Sequence, residues 1–483
     1  MNKDKIDTYL EQWRDFERCA EAMLPIIGRL YRERGVIITC YGNSLVNKDP
    51  VAIIQHHSFA SKVEGKAITV QDTLPILAAV NAIDLAPARI DIGNFLTHYR
   101  DEGHGRDLTE FAGDELASIA TGKTSVLERP QDIVLYGFGR IGRLVARILA
   151  GKTGGGDRFR LKAIVVRKGS DDDLAKRASL LRRDSVHGPF RGSIQRDEAE
   201  NAIVANGNMI RVLYADAPDK IDYTEHGIED AILIDNTGKW RDREGLERHL
   251  KAPGVARVLL TAPGKGDIAN IVYGVNHKGI CEQGPILSAA SCTTNAIVPV
   301  LAAINREFGI DHGHVESCHS YTNDQNLIDN YHKNARRGRS AVLNMVVSET
   351  GAAKAVGKAL PELDGKFTGN AVRVPTPNVS LAILMLDLVE EATKEQLNSY
   401  LRKVSLEGDL VNQIDYTNAD DVVSSDFVGN RFAGIVDAQA TIAQGKSCVL
   451  YVWYDNEFGY SRQVVRILEE LAGLGLPTFP KAT

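Results

Sequence analysis

The sequence predicts an α/β protein: a Rossmann-type doubly wound parallel sheet joined to an α+β catalytic domain with an antiparallel sheet, preceded by a mainly helical N-terminal region. Three observations carry this. The apolar run Asp132–Tyr136, the glycines Gly137, Gly139 and Gly142, and the apolar-periodic Leu144–Leu149 follow one another as strand, turn and helix. Further apolar runs at Leu161–Val166, Ala231–Ile234 and Arg257–Leu260 read as strands, the last two ending in turn residues. Beyond Cys292 the pattern shifts to longer strand-like runs at Val315–Tyr321, Val379–Leu388 and Ser447–Tyr454.

A chain of 483 residues exceeds a single core. Hydrophobic content of 43% and charged content of 25% describe an ordinary soluble globular protein. A net charge of -6 argues against general nucleic-acid binding. Cys19, Cys40, Cys281, Cys292, Cys318 and Cys448 are scattered without a CxxC pair or metal-ligand spacing, so free thiols in a reducing compartment are expected and a metal is not. The N-terminus lacks the apolar run of a signal peptide, and no apolar stretch approaches the roughly 20 residues that span a bilayer. A cytoplasmic location is expected, with neither membrane nor nucleic acid as partner.

In chain order, the first 128 residues open with Tyr9, Trp13, Phe16, Cys19-Ala20 and Met23-Leu24 at helical spacing among charges, an amphipathic helix. Asp72–Ile83, with an aspartate cap, and Arg89–Tyr99, after Pro87, are further helix candidates. The stretch before Ala67 has no clear assignment, and His56-His57 read as surface or cap residues. No repeat or chemical motif marks this block. Thr121-Gly122-Lys123-Thr124-Ser125 reads as a linker.

The glycine turn suits a dinucleotide pyrophosphate: one glycine turns the chain, the second admits the phosphates to the backbone, and the third lets helix and strand pack closely. At the end of Leu161–Val166, where an acidic residue would read an NAD ribose, the chain has Arg167-Lys168-Gly169-Ser170, with Asp171-Asp172-Asp173 only afterwards. Cations there attract a 2′-phosphate, so NADP tolerance is expected.

Ser291-Cys292-Thr293-Thr294-Asn295 lies at the mouth of an apolar-periodic stretch running to Phe308. Free amides and the positive dipole end of a helix favour thiolate there, although Pro299 bends such a helix or confines it to a first turn. Further on, His319 follows Cys318, His332 to Arg339 forms a basic loop with Arg336, Arg337 and Arg339, and Ser461–Leu474 reads as a final amphipathic helix.

From about Gln131 onward the chain resembles phosphorylating glyceraldehyde-3-phosphate dehydrogenase. The resemblance rests on Gly137–Arg143, Asp184–Gly188, Tyr273–His277, Ala290–Asn295, Thr350–Gly357, Arg373–Ser380 and Trp453–Ser461, in that order. It implies a reversible oxidation of glyceraldehyde 3-phosphate to 1,3-bisphosphoglycerate, with Cys292 as nucleophile and His319 as acid–base partner. It assigns Thr322, Arg373 and Asp324 to one anion site, Asp324 orienting the arginine, and Ser291, Thr293, Thr350 and Gly351 to the other. It places Gly137, Gly139, Arg140, Ile141 and Gly142 at the pyrophosphate, Thr237, Gly238 and Thr261 along the cofactor cleft, Asn456 at the nicotinamide carboxamide and Tyr460 beside the ring. It implies NAD or NADP as cofactor, inorganic phosphate as second substrate, and a homotetramer.

Three departures stand out: Arg167-Lys168 replace the acidic ribose residue, Glu349 precedes Thr350 where a small hydroxyl residue is usual, and Ala296 replaces a second cysteine. Glu349 leaves room for an erythrose 4-phosphate dehydrogenase with hydrolysis of the thioester. The extension leaves room for a regulatory or scaffolding role. The expected domains are 1–128, the helical extension; 129–290, the NAD(P)-binding domain; 291–455, the catalytic domain; and 456–483, a C-terminal helix packing back on the nucleotide domain.

Overall fold

A computed structural model describes residues 3–103, 105–120, 122, 126–154 and 158–481. The predicted linker 121–125 lies outside the described residues except for Gly122. The chain forms two compact units: residues 1–130, 153–158 and 473–483, and residues 131–152 and 159–472.

The first unit is helical with a small sheet. Its helices are Lys3–Arg34, Pro50–Glu64, Val70–Asn81, Ile92–Glu102 and Leu108–Glu115. Met23, Ile27, Leu30, Leu77 and Phe95 are at most 3% exposed in its core. The sheet, which sequence patterning did not reveal, orders Asn43–Ser44, Ile37–Cys40, Arg89–Asp91 and Thr478–Phe479. Two expected helix starts move. Thr69, not Asp72, caps Val70–Asn81: Thr69 Oγ1 accepts from Asp72 N, and Thr69 N donates to Asp72 Oδ2. Arg89–Asp91 is a strand, because pairing with Ile37–Cys40 overrides the helical pattern. Asp91 then caps Ile92–Glu102, accepting from Asn94 N at 3.0 Å. His57 is no surface residue. It is 2% exposed, with Nδ1 at 2.8 Å from Ile53 O and Nε2 at 2.7 Å from Thr73 Oγ1.

The second unit carries two sheets. The first is eight-stranded, in the order Ile286–Ser288, Val255–Leu260, Ala231–Asp235, Gln131–Tyr136, Phe159–Val166, Asn208–Tyr214, Ala202–Ala205, Ile194–Asp197. Its pairings are parallel as far as Asn208–Tyr214 and antiparallel beyond. Gln131–Tyr136 is central, and the chain leaves it through the glycine turn into the Arg140–Gly151 helix. Parallel strands buried on both faces explain why they read as unbroken apolar runs.

The second sheet is mixed rather than purely antiparallel. Ile310–Ser320 pairs in parallel with Phe367–Val374 and antiparallel with Ser380–Leu388. Between those parallel partners the chain leaves the sheet, forms the edge strand Val346–Glu349 and the Ala352–Ala359 helix, and returns in the same direction, as a parallel pair requires. The Cys292–Phe308 helix is buried in the core behind this sheet. The last helix spans Phe458–Leu471 and packs on Arg140–Gly151. Residues 473–483 then join the first unit rather than extending that helix.

Candidate active site

The nucleophile candidate sits where strand Ile286–Ser288 turns into a helix. Ala290 has a φ of 54°, unusual for a residue with a Cβ, and two bonds hold it there. Ala290 N donates to Ser288 Oγ at 3.0 Å, and Tyr460 Oη donates to Ala290 O at 3.0 Å. Ser291 caps the helix, its Oγ accepting from Thr294 N at 3.1 Å, so Cys292 is the first helical residue. Pro299 neither ends nor confines this helix, which runs unbroken to Phe308. Residues 293–301 are all buried, and packing holds the helix through the hydrogen bond that Pro299 cannot make.

His319 comes from the end of Ile310–Ser320, where register sets it opposite Arg373. Its Nε2 lies 3.5 Å from Cys292 Sγ. Its Nδ1 lies 2.7 Å from Ser320 O and 2.9 Å from Arg373 Nη1. Donation from Nδ1–H to Ser320 O leaves the Nε2 lone pair facing the thiol, the arrangement of a base. Acceptance from Arg373 instead turns an Nε2–H towards the sulfur. Burial pushes the Cys292 thiol up, with the Arg373 charge opposing. Burial, then the same arginine, pulls His319 down to about 3. Burial thus favours thiol and neutral imidazole over the ion pair.

Arg373 is the charge beside both, and its buried Nε has no hydrogen-bond partner among the described residues. A guanidinium N–H left over beside a reactive thiol fits an anionic substrate group. Asp324 reaches Arg373 through its charge rather than through a direct hydrogen bond. It pairs with Arg337, whose Nε and Nη2 also donate to Ser348 Oγ at 3.0 and 2.6 Å. Thr322 lies next to this pair, with Asp324 N donating to its Oγ1 at 3.4 Å. Thr350 Oγ1 accepts from Ala352 N at 3.2 Å, and Gly351 caps the Ala352–Ala359 helix without a side-chain bond. Glu349 is exposed at the end of its strand. The hydroxyls beside the thiol are engaged within the protein: Ser291 Oγ with Thr294 Oγ1 at 2.7 Å, and Thr293 Oγ1 with Tyr454 Oη at 3.0 Å.

The residues of the glycine turn fit a dinucleotide. Gly137 has a φ of +94°, and a Cβ there would come within 3.0 Å of Thr237. A Cβ on Gly142 would meet Gly137 O at 2.6 Å, whereas one on Gly139 would meet nothing within 4 Å. Gly139 caps Arg140–Gly151 without a side-chain bond, so no capping side chain occupies the first-turn amides that a pyrophosphate would use. The Arg140 guanidinium is committed elsewhere, to Asp184 at 2.6 Å and to Glu457 at 2.8 Å, leaving only its backbone for a pyrophosphate. Asp235 accepts from both Thr237 N and Oγ1 at 2.7 Å, ahead of Gly238, and Thr261 Oγ1 donates to Asp235 O at 3.1 Å. Ser380 Oγ donates to Asn456 Oδ1 at 2.9 Å, so the Asn456 amide nitrogen is the end left to donate. Tyr460 is 5% exposed and clamps Ala290. Arg167 and Lys168 are exposed at the end of Phe159–Val166.

Sequence reasoning missed three parts of this site. Arg337 stood among several basic residues with nothing to single it out. Tyr454, 1% exposed, ties Thr293 to Ser317 and looked like one more apolar strand residue. His187 lies 3.1 Å from Asp455, in a buried network with Asp184, Glu457 and Arg140. All of them stood in quoted motifs, but only Arg140 had a role, and that at the pyrophosphate rather than in this network.

Comparison with known proteins agrees with this geometry. Residues 131–243 match the family described as glyceraldehyde 3-phosphate dehydrogenase, NAD binding domain, and residues 291–456 match the corresponding C-terminal domain. A glyceraldehyde-3-phosphate dehydrogenase-like protein of Pseudomonas aeruginosa is 57% identical over 461 residues, 95% of this chain and 100% of its own. A glyceraldehyde-3-phosphate dehydrogenase of Pseudomonas aeruginosa is 41% identical over 333 residues, 69% of this chain and 96% of its own. A chloroplastic relative of that name from Arabidopsis thaliana is 38% identical over 376 residues, 75% of this chain and 92% of its own.

Proposed function

The chain belongs to the glyceraldehyde-3-phosphate dehydrogenase family, an NAD-dependent class of oxidoreductases, and from that premise we propose that it converts glyceraldehyde 3-phosphate and inorganic phosphate reversibly to 1,3-bisphosphoglycerate. The observation that carries this reading is Cys292 Sγ at 3.5 Å from His319 Nε2, with Arg373 on the far side of the same imidazole.

Cys292 sulfur bonds to the aldehyde carbon, and its proton passes to His319 Nε2. The resulting alkoxide takes that proton back from His319 and becomes a thiohemiacetal, leaving the imidazole neutral. His319 then removes the hydroxyl proton as the carbon loses hydride, leaving a thioester. Oxidised nicotinamide, when bound, supplies the hydride acceptor. The Asn456 amide is placed to hold the carboxamide, and the amides after Gly139 to hold the pyrophosphate. A phosphate oxygen attacks the thioester carbon, the C–S bond breaks, and the acyl phosphate leaves. Arg373 and Thr322 carry one phosphate group. Thr350, Gly351 and the residues beside Cys292 carry the other, with Arg337 holding Asp324.

NADP tolerance is part of the proposal. Arg167 and Lys168 stand exposed at the ribose end of their strand. All three carboxylates that follow have a cation partner, Asp172 in Lys176, Asp173 in Arg177 and Asp171 in Lys168 at 4.0 Å, the last an exposed pair that a 2′-phosphate has to displace. A homotetramer is supported by Leu327, Ile328, Tyr331, Leu343 and Met345, 66–91% exposed on one loop segment, since an apolar surface of that kind calls for a partner. A cytoplasmic location is supported by six unpaired cysteines. No described helix is long and apolar enough to cross a membrane.

Steady-state kinetics with either cofactor, with and without phosphate, test the reading. We expect phosphate-dependent reduction of NAD and NADP, abolished by Cys292→Ala and slowed about 10²–10⁴-fold by His319→Asn. Turnover indifferent to phosphate would replace phosphorolysis with hydrolysis. Full activity of Cys292→Ala would remove the mechanism.

A further inference from the structure

The Lys3–Arg34 helix carries a seven-residue apolar repeat that outruns the core it serves. Ala20, Met23, Ile27 and Leu30 alternate spacings of three and four and are 0–3% exposed, packed among the Pro50–Glu64 and Val70–Asn81 helices. The same alternation, followed back towards the N-terminus, passes through Phe16, Trp13 and Tyr9. Phe16 is partly buried, but Trp13 is 39% and Tyr9 63% exposed, with Leu10 beside them at 47%. On the opposite side Glu11, Arg18, Pro25 and Arg32, again seven apart, are exposed along the whole helix. One stripe therefore runs the length of the helix. This unit fills its C-terminal half and leaves its N-terminal half open.

We propose that the open half pairs with the same segment of a second copy of this chain, antiparallel about a two-fold axis. The charges around it are mixed, with Asp7, Glu11, Asp15 and Glu17 against Arg14 and Arg18. A phosphate backbone, an anionic membrane surface or a strongly charged peptide finds no complement there. What complements a seven-residue stripe of Tyr, Trp and Phe is another helix with that repeat, and the chain itself supplies one. Antiparallel pairing centred at the level of Glu11 sets Trp13 of each copy on Tyr9 of the other, and brings the two Leu10 side chains beside the axis, about 3 Å apart along the helices. Such a contact is self-complementary and closed, as a two-fold interface must be. It also stops the stripe from recruiting chains without limit.

The pairing is independent of the dehydrogenase reading and is tested without measuring activity. The full-length chain carrying Leu10→Cys is oxidised with diamide at micromolar concentration and run on a non-reducing gel. We expect a covalent dimer that is absent from the unsubstituted chain with its six native cysteines. It should exceed the yield from Glu11→Cys, one residue away on the outer face, by about 10-fold, and be lost when Trp13→Glu is added to Leu10→Cys. Equal yields from Leu10→Cys and Glu11→Cys, no dimer from either, or a Leu10→Cys dimer that survives Trp13→Glu would each overturn the proposal. Size-exclusion elution and circular dichroism of Trp13→Glu confirm that the variant remains folded.

Discussion

Between Cys292 and His319 a single proton decides reactivity, and neither side chain settles its place alone. Burial favours the neutral form of each, while Arg373 helps a thiolate and opposes an imidazolium. The transfer is therefore completed by what binds: an anion on Arg373 cancels its charge against the imidazole, and the aldehyde carbon consumes the thiolate as it forms. Such a pair depends on exact placement of the helix start, and Tyr454 sets part of that placement. Its hydroxyl, buried and raised well above the usual phenol range by that burial, bridges Thr293 Oγ1 at 3.0 Å and Ser317 Oγ at 2.8 Å. Tyr454→Phe keeps the ring and strips both hydroxyls of a partner, at an expected cost of about 1–3 kcal/mol. A shift of the urea midpoint at unchanged slope, with a fall in kcat that exceeds the change in KM for substrate, is the expected result. An unaltered midpoint would mean that the bridge holds nothing.

The glycine turn and the Phe458–Leu471 helix are joined by charge, which makes their stability pH-dependent. Burial works against ionisation of Asp184, but the His187 and Val186 amides and the Arg140 guanidinium more than offset it, holding the carboxyl at about 2 against an ordinary 3.8. A depressed folded value means that the unfolded chain binds the proton first. The stabilisation is therefore complete above about pH 4 and is lost as pH falls towards 2. Asp184→Asn should cost about 2 kcal/mol at pH 7, less whatever solvent screens, and the gap to the unsubstituted chain should close between pH 4 and 2. Denaturant melts across that range check it, and a gap independent of pH would assign the cost to shape instead of charge. The pairing within this network was not legible beforehand, because Asp184, Glu457 and Arg140 lie far apart in the chain and the motifs that hold them do not say which side chains meet. What was legible was local. Strand, glycine turn and helix read correctly from Asp132 to Leu149 because each step follows from period and φ. The helix starts at Thr69 and Asp91 were misread because a capping hydroxyl and a three-residue strand lie below the resolution of periodicity. Pro299 was misread for the opposite reason, since burial on all sides carries the helix through a residue that would break it on a surface.

At the scale of the molecule, the extension is less separable than its position in the sequence suggests. Its sheet takes its fourth strand, Thr478–Phe479, from the far end of the chain, and Arg89 N donates to Pro477 O at 2.8 Å alongside. Phe479 is 1% exposed within the same apolar core as Met23, Ile38 and Phe95. Arg158, from the excursion between Lys152 and Phe159, donates to Gly35 O in that unit as well. Such closure was invisible in sequence, where a two-residue strand carries no period of its own and reads with the C-terminal helix of 456–483. It also means that deleting residues 1–128 is not a clean subtraction, because the cut bares Phe479 and leaves Arg158 without its carbonyl. A point change at the far end is the sharper probe. Phe479→Ala should destabilise the first unit by about 3–5 kcal/mol, the usual cost of emptying a buried phenylalanine. That raises the population of its open form by about 100-fold or more, so thermolysin should cut within residues 1–130 correspondingly faster. Phe479 belongs to the core of the first unit, so the unit that holds Cys292 should keep both its resistance and its thiol reactivity. Cleavage of residues 1–130 at the unsubstituted rate would show that the C-terminal strand merely rests on the sheet, and the extension could then be studied as an independent piece.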